Sequence, residues 1–541
     1  MTGGTSPPAP SPDPPVSSEA RHLTRLARRG AASVVGAGFS AVFGVLLVVI
    51  VTNGFSPADA GTLFAATSTF LIVESVTLLG TDTGLVRWLP EQLASGRAAD
   101  VRRTLAVAAV PVLALSLAVA VLMAVTASAL APVLVGTDSA ATMTVMLRTL
   151  ALVLPVAALH DLVVTATRGC GSMRPTVLVE NVGRLGLQAL AVLAVFATGG
   201  GPLALAAAWS APYALGLVAG CWWLHRLVRR STDRAGAAGD RVPTPWVPLA
   251  REFWAYTTPR AAARVTQTAL KRSDIVMVAA LASPTAAALY AAATRFIVLG
   301  QLFVQAVQQA LSPHLSAVFA KGDKPAADAL FQAATRWSVL AAWPFYLVLA
   351  GFSPTLMGVF GHGYHVASDV VVILSLTMLL ATACGPVDSV LLMAGRSWLS
   401  LRNSTIALAV NVGLNLVLVP RLGIRGAAIS WAVAIVVRNL LPLGQVRRQL
   451  GMWPGTRATM LVSASALVCF GAVDLVALAL GPDHLAATLA LLAASCAYLV
   501  SVWSWRERLG LDAFRTALGS RRRRGFPVSP KSAMRVGGPG A

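Results

Sequence analysis

About fourteen apolar runs, each close to the length of a membrane-crossing helix, follow one another along this chain. No other feature limits its fold as strongly. They occupy residues 31–53, 61–83, 104–127, 146–167, 176–198, 203–224, 254–282, 285–312, 337–360, 369–394, 404–419, 426–446, 459–480 and 485–505. A helix rising about 1.5 Å per residue needs roughly 20 such residues to cross a hydrocarbon core of about 30 Å. Lipid offers the backbone no hydrogen bonds, so each run must satisfy its own amides as a helix. The turns between runs alternate in charge. Basic residues gather in every second turn: Arg87, Arg97, Arg102 and Arg103; Arg168 and Arg174; Arg226 to Arg251; Lys321 and Lys324; Arg396 and Arg402; Arg447, Arg448 and Arg457. The intervening turns are nearly free of them, with Arg421 and Arg425 as exceptions. One miscounted span would destroy that alternation. The positive-inside rule then puts both termini in the cytoplasm of a multi-pass cell-membrane protein.

The composition agrees. Of 541 residues, 56% are hydrophobic and 12% charged, and the mean hydropathy is +0.71; a soluble domain does not look like this. The net charge of +21 lies in turns and tails, where it suits anionic lipid headgroups and not nucleic acid. Residues 1–30 read as a disordered basic tail, with no short apolar core that would make a cleavable signal. Residues 228–252 read as a basic linker and 506–541, with Arg521 to Arg524, as a second basic tail. The five cysteines show no metal-binding spacing and are expected to be small buried hydrophobes. No metal and no cofactor is implied.

An internal repeat divides the membrane region. Ser56-Pro57-Ala58-Asp59-Ala60-Gly61-Thr62-Leu63-Phe64 resembles Ser283-Pro284-Thr285-Ala286-Ala287-Ala288-Leu289-Tyr290 with one gap. Each copy follows the first helix of a six-helix set. Six spans return the chain to its starting side, so the halves 31–227 and 253–446 share one orientation, related by a pseudo-twofold along the membrane normal. Two further helices, within 447–505, lie outside the repeat.

Charged residues inside spans are costly and mark function or pairing. In the seventh span Arg260, Arg264, Gln267, Lys271 and Asp274 fall on one narrow stripe, which suits a water-filled or anion-occupied interior; a Lys271–Asp274 pair is the structural alternative. The fifth span aligns Asn181, Arg184 and Gln188, the second aligns Thr67, Glu74 and Thr81, and the fourth holds His160-Asp161. The eighth carries Arg295 and a row of Gln301, Gln305 and Gln308. Asp388, the pair Asn411 and Asn415, and Arg438 occupy the tenth, eleventh and twelfth. The interior thus holds more cation than anion. Phosphate suits such a surface, because arginine binds it bidentately.

The segments Gly361…Ala367-Ser368…Ile373-Leu374-Ser375-Leu376, Gly385-Pro386…Leu392-Met393-Ala394-Gly395-Arg396 and Asn411…Leu414-Asn415-Leu416-Val417-Leu418-Val419-Pro420…Gly423-Ile424-Arg425-Gly426-Ala427-Ala428 resemble the polysaccharide-transport branch of the MOP (multidrug/oligosaccharidyl-lipid/polysaccharide) flippase superfamily. Gly80-Thr81-Asp82…Arg87…Pro90-Glu91, Pro259…Asp274 and Gly322-Asp323 extend the likeness. It implies two six-helix bundles around a cavity, plus two extra helices. It also implies alternating-access flipping of undecaprenyl-diphosphate-linked oligosaccharide for O-antigen, capsule or exopolysaccharide. The expected diphosphate and glycan contacts are Arg184, Arg260, Arg264, Gln267, Lys271 and Arg295. Glu74, Asp161, Asp274 and Asp388 are the candidates for proton or sodium coupling. Partners are the lipid-linked oligosaccharide, the bilayer and other polysaccharide-assembly membrane proteins. A lipid II flippase and a multidrug exporter of the same superfamily are the alternatives. A glycan polymerase or ligase fits less well, because the outer turns are too short to build an acid, base or metal site.

Overall fold

The computed structural model describes residues 18–236, 244–480, 484–507 and 509. The tail before residue 18, residues 237–243 of the expected linker, the basic tail from 510 onward and the Asp474 side chain lie outside the described residues. The first half comprises α1 (Ser18–Gly54), α2 (Pro57–Thr77), α3 (Thr81–Ala94), α4 (Ala98–Val135) and α5 (Ala140–Gly169). A π-helical segment, Thr176–Arg184, then runs into α6 (Leu185–Ala197), followed by α7 (Pro202–Ser210) and α8 (Pro212–Gly236). The second half comprises α9 (Trp246–Leu281), α10 (Pro284–Ala320), α11 (Lys324–Gly351), α12 (Ser353–Gly358), α13 (Ser368–Ala383), α14 (Val387–Met393), α15 (Ser397–Leu422) and α16 (Ile424–Leu450). Both halves belong to one compact unit ending at Gly455. A separate unit holds α17 (Arg457–Leu480) and α18 (His484–Ser504), which pack on each other with Phe470 edge-on to Tyr498 at 5.5 Å.

Among the described residues, 10 helices or consecutive helix pairs are long and apolar enough to cross a membrane. The helices α9 and α11, of 36 and 28 residues, are long enough but more polar. With the shorter apolar α17 and α18 they make up the fourteen expected spans. Burial separates central from peripheral helices. The apolar window of α2 is 72% buried and that of α5 67%, against 22% for both α4 and α15. The exposed face of α4 (Val110, Leu117, Val121, Leu122 and Val125) is what a helix bordering lipid presents.

The repeat is visible in local chemistry. Ser56 Oγ accepts from the Asp59 amide and Ser283 Oγ from the Ala286 amide, each at 3.1 Å, and each serine precedes a first-turn proline. A serine cap followed by a pre-set φ is a strong helix start, and the chain uses it twice. The packing follows the same symmetry. α1 packs on α10 and α2 on α9, while α2 and α10 cross directly. Those are the contacts required by a twofold exchanging α1 with α9 and α2 with α10. Within the halves, α4 against α5 matches α11 against α13, and α5 against α8 matches α13 against α16.

Several boundaries differ from the sequence reading. The disordered tail expected through residue 30 is corrected, because α1 begins at Ser18. Its Arg, Leu and Ala residues favour helix and extend an existing span without a new nucleation cost. The linker shortens for the same reason, since α8 continues to Gly236 and α9 starts at Trp246. Thr244 is tied to α4: its amide and hydroxyl donate to Asp100 at 2.8 and 2.6 Å, and its carbonyl accepts from Arg103 at 2.6 Å. The tenth span is two helices, broken at Gly385-Pro386, where Gly385 has φ +72° and an added Cβ would meet Thr335 Oγ1 of α11 at 2.1 Å. The cysteines are all free, but only Cys384 is buried; Cys221 and Cys496 are exposed. For a membrane chain, exposure to lipid serves an apolar thiol as well as burial does.

Candidate functional site

Between α2, α5, the π-helical segment, α8 and α9 lies a cavity of about 270 Å³. Its walls carry Glu74, Asp161, Glu180, Arg184, Arg264, Gln267, Lys271 and Arg272, with Tyr213 and Thr268. Seven acidic or basic side chains therefore face one small space inside the bundle.

The π-helical segment builds one wall. Bonding i to i+5 widens the turn and re-aims side chains. Glu180 and Arg184 meet as an ion pair, with Arg184 Nε donating to Glu180 Oε2 at 2.9 Å and a second, shorter contact from Nη2. His160 Nε2 lies 2.7 Å from the same carboxylate. The His160 ring is fully buried, edge-on to Tyr213 at 5.6 Å and against Gly216 of α8, where a Cβ would meet its Cε1 at 2.5 Å. The Arg184 guanidinium stacks over Tyr213 at 4.6 Å. This changes the reading of the fifth span. Asn181, Arg184 and Gln188 do not share one face: Asn181 lies against Gly36 of α1, and Gln188 donates to the Trp209 carbonyl at 2.7 Å.

The stripe on α9 divides as well. Arg264, Gln267 and Lys271 line the cavity, while Arg260 and Asp274 do not. At about 100° per residue, Thr268 and Arg272 flank the stripe on one side and Asp274 on the other. The cavity faces the first side. Asp274 is 4% exposed and accepts from Asn415 Nδ2 at 2.8 Å on α15. The Lys271–Asp274 pair does not form. Arg260 stays near the basic end, its guanidinium 3.5 Å above the Tyr256 ring and bonded to that residue's carbonyl.

Arg184 is committed to Glu180, and Arg264 donates to Asp82 of α3 at 3.1 Å. Lys271 and Arg272 line the cavity with no ion-pair or hydrogen-bond partner among the described residues. Arg295 of α10 lies outside the lining but within Coulombic reach of Arg272, and its Nε has no partner. Of the carboxylates, Glu74 is 3% exposed with an unpartnered Oε1, and Asp161 acts on it electrostatically. Asp388 lies elsewhere, accepting from Ser400 Oγ. His160, Asp161 and Glu180 bring ligand atoms within 4.8 Å of one another. Arg184 offsets the Glu180 charge there, while Asp161 has no ion-pair partner among the described residues, so one carboxylate of the group stays uncompensated.

Arg272, Thr268 and Tyr213 line the cavity beyond the residues that the sequence singles out. The spacing of Arg264, Thr268, Lys271 and Arg272 (i, i+4, i+7, i+8) was the available signal, since a helix face is wider than one stripe.

Residues 26–319, just over half of the chain, match the family described as Polysaccharide biosynthesis protein. Residues 259–417 match the family described as MatE. No curated protein matches by sequence. The fold is similar to the lipid II flippase MurJ in an inward closed conformation (TM-score 0.70, 12% identity, 88% of this chain and 99% of that one). It is also similar to a multidrug resistance MATE family transporter of the MOP superfamily in its inward-facing conformation (0.61, 14%, 76% and 94%), and to a MOP superfamily transporter from Pyrococcus furiosus (0.54, 16%, 79% and 95%). At these identities the likeness shows the fold. Taken with the matched sequence families and the all-helical polytopic architecture, it follows that this chain belongs to the polysaccharide biosynthesis protein family and is a membrane flippase or transporter of the MOP superfamily, not an enzyme.

Proposed function

We propose that the protein carries an undecaprenyl-diphosphate-linked oligosaccharide across the cytoplasmic membrane by alternating access, for surface polysaccharide assembly. One observation carries this reading: among the described residues Lys271 and Arg272 face the cavity without acidic partners, and Arg295 lies within Coulombic reach of Arg272. Unpaired cations inside a bilayer protein are expensive, and a diphosphate supplies the missing charge. The diphosphate cannot cross hydrocarbon unaided. A wet passage between two bundles takes the headgroup while the polyprenyl tail stays in lipid. Arg184 and Arg264, already paired, would hold the cavity's shape and exchange partners when the headgroup arrives. Glu74 and Asp161, without hydrogen-bond partners among the described residues, share the same cavity and are placed to bind a proton or sodium ion that drives the return step; Asp274 and Asp388 are not among its lining residues. Both termini face the cytoplasm, where other polysaccharide-assembly membrane proteins supply the substrate.

Deleting the gene is expected to leave undecaprenyl-linked oligosaccharide accumulating on the cytoplasmic leaflet, measured by lipid extraction and leaflet-specific labelling. Normal lipid-linked intermediates together with raised drug sensitivity would instead favour export of an organic cation, the second reading, to which Glu74 and Asp161 would be the counter-ions. Lipid II presents the same diphosphate, and accumulation of that lipid alone would assign the transport to peptidoglycan precursor.

A further inference from the structure

The second half contains a cavity of its own, about 320 Å³, between α10, α11, α13, α14 and α16. Its chemistry differs from that of the first. Gln301, Gln305 and Gln308 line it from one face of α10, at spacings of four and three residues. Asn439 of α16, whose Nδ2 also donates to the Ile435 carbonyl at 2.8 Å, and Ser338 of α11 add an amide and a hydroxyl, and Arg438 of α16 adds a positive charge. The glutamine side chains make no hydrogen bond among the described residues, and Ser338, 1% exposed, has an unpartnered Oγ. Asp388 accepts from Ser400 through Oδ1 and leaves Oδ2 unbonded. In a membrane bundle such groups are normally used up between helices. Here they converge on empty space.

A primary amide offers two donors and two acceptor lone pairs, and a hydroxyl offers one donor and two acceptor lone pairs. Beside the charges of Lys271, Arg438 and Asp388 the cavity carries more neutral amides and hydroxyls than a diphosphate, which uses donors, or an organic cation, which uses acidic or aromatic walls, can engage. Polyhydroxylated rings need donors and acceptors in alternation, and the cavity supplies both. Lys271 lines this cavity and the first, so one molecule can have its phosphate in one and its next group in the other.

We infer that the second cavity is a glycan subsite, which takes the sugars next to the diphosphate and selects substrates that carry them. The inference rests on the proposed function, because it needs the phosphate end of the molecule in the first cavity. A site built to hydrogen-bond hydroxyls rejects the analogue that lacks them, since its own polar groups are then left unpaired.

The test uses the full-length protein in nanodiscs and two probes, undecaprenyl diphosphate and undecaprenyl diphosphate bearing a disaccharide. The wild type is expected to bind the sugar-bearing lipid about tenfold or more tightly than the bare diphosphate. The combined variant Gln301→Leu, Gln305→Leu, Asn439→Leu should abolish that preference and keep the affinity for the bare lipid; leucine in these helices favours insertion, and a thermal melt checks the fold. Equal binding of both probes by the wild type overturns the glycan subsite. So does a variant that keeps the preference, or one that folds but loses both probes alike. A wild type that binds neither probe refutes the diphosphate reading itself, which separates the two failures.

Discussion

Replacing Arg272 with methionine should leave a protein that inserts and folds at least as well as the wild type and no longer transports. Most substitutions of a buried charge combine two losses, because they also strand a partner. Among the described residues Arg272 has no such partner. Removing it relieves repulsion with Arg295 and desolvation of a guanidinium inside the bundle. The melting temperature is therefore expected to stay level or rise. Substrate binding moves the other way. Truncating one member of a buried charge pair costs about 2–5 kcal/mol, and a decade of affinity is about 1.4 kcal/mol, so the loss spans one to four orders of magnitude. Lys271→Met should behave alike. Arg264→Met is the contrast, since it strands Asp82 and is expected to lower stability as well. A stability loss for Arg272→Met equal to that of Arg264→Met would mean that Arg272 has a structural partner and is not held for an anion.

The second large effect is expected where the halves cross. A Cβ added at Gly61 of α2 would lie 1.6 Å from the Pro284 carbonyl oxygen of α10. Neither backbone can yield without moving its helix, so Gly61→Ala must push α2 and α10 apart near their N-termini. Asn53 joins the same end of α1 to the Val359 carbonyl at 3.0 Å, so that end is sealed as one block. Overpacking usually costs about 1–3 kcal/mol, and this cost falls on the closed arrangement of that end alone. The variant should melt earlier and increase the distance between spin labels on Ala58 and Thr285. Gly413→Ala meets nothing within 4 Å and, as a helix-interior glycine, should be neutral or slightly stabilising. An unchanged label distance in Gly61→Ala would show that the crossing is not a rigid contact.

The membrane architecture was legible because bilayer constraints write themselves linearly: run length, turn charge, and the Ser-Pro helix start used twice. The site was legible only in part. The α9 stripe picked out Arg264, Gln267 and Lys271, but periodicity cannot say which flank of a stripe faces a cavity, so Asp274 was included and Arg272 passed over. The π-helical register at Thr176–Arg184 defeated the pattern in the fifth span, since face assignments assume about 3.6 residues per turn. Glu180 stands four residues before Arg184, so that ion pair was within reach of the spacing, but its contacts with His160 and Tyr213 were not. Gln301, Gln305 and Gln308 were visible as a row, but not the cavity they enter, which depends on where α14 breaks from α13 at Gly385-Pro386.

The most direct measurement is transport itself. The purified protein is reconstituted into vesicles containing undecaprenyl diphosphate bearing a labelled oligosaccharide, and the label exposed to an external glycosidase is followed with time. The account predicts that the wild type moves the lipid between leaflets and that Arg272→Met vesicles match empty ones. If wild-type vesicles match empty ones under a proton or sodium gradient of either sign, while accumulating an organic cation, the central claim is contradicted.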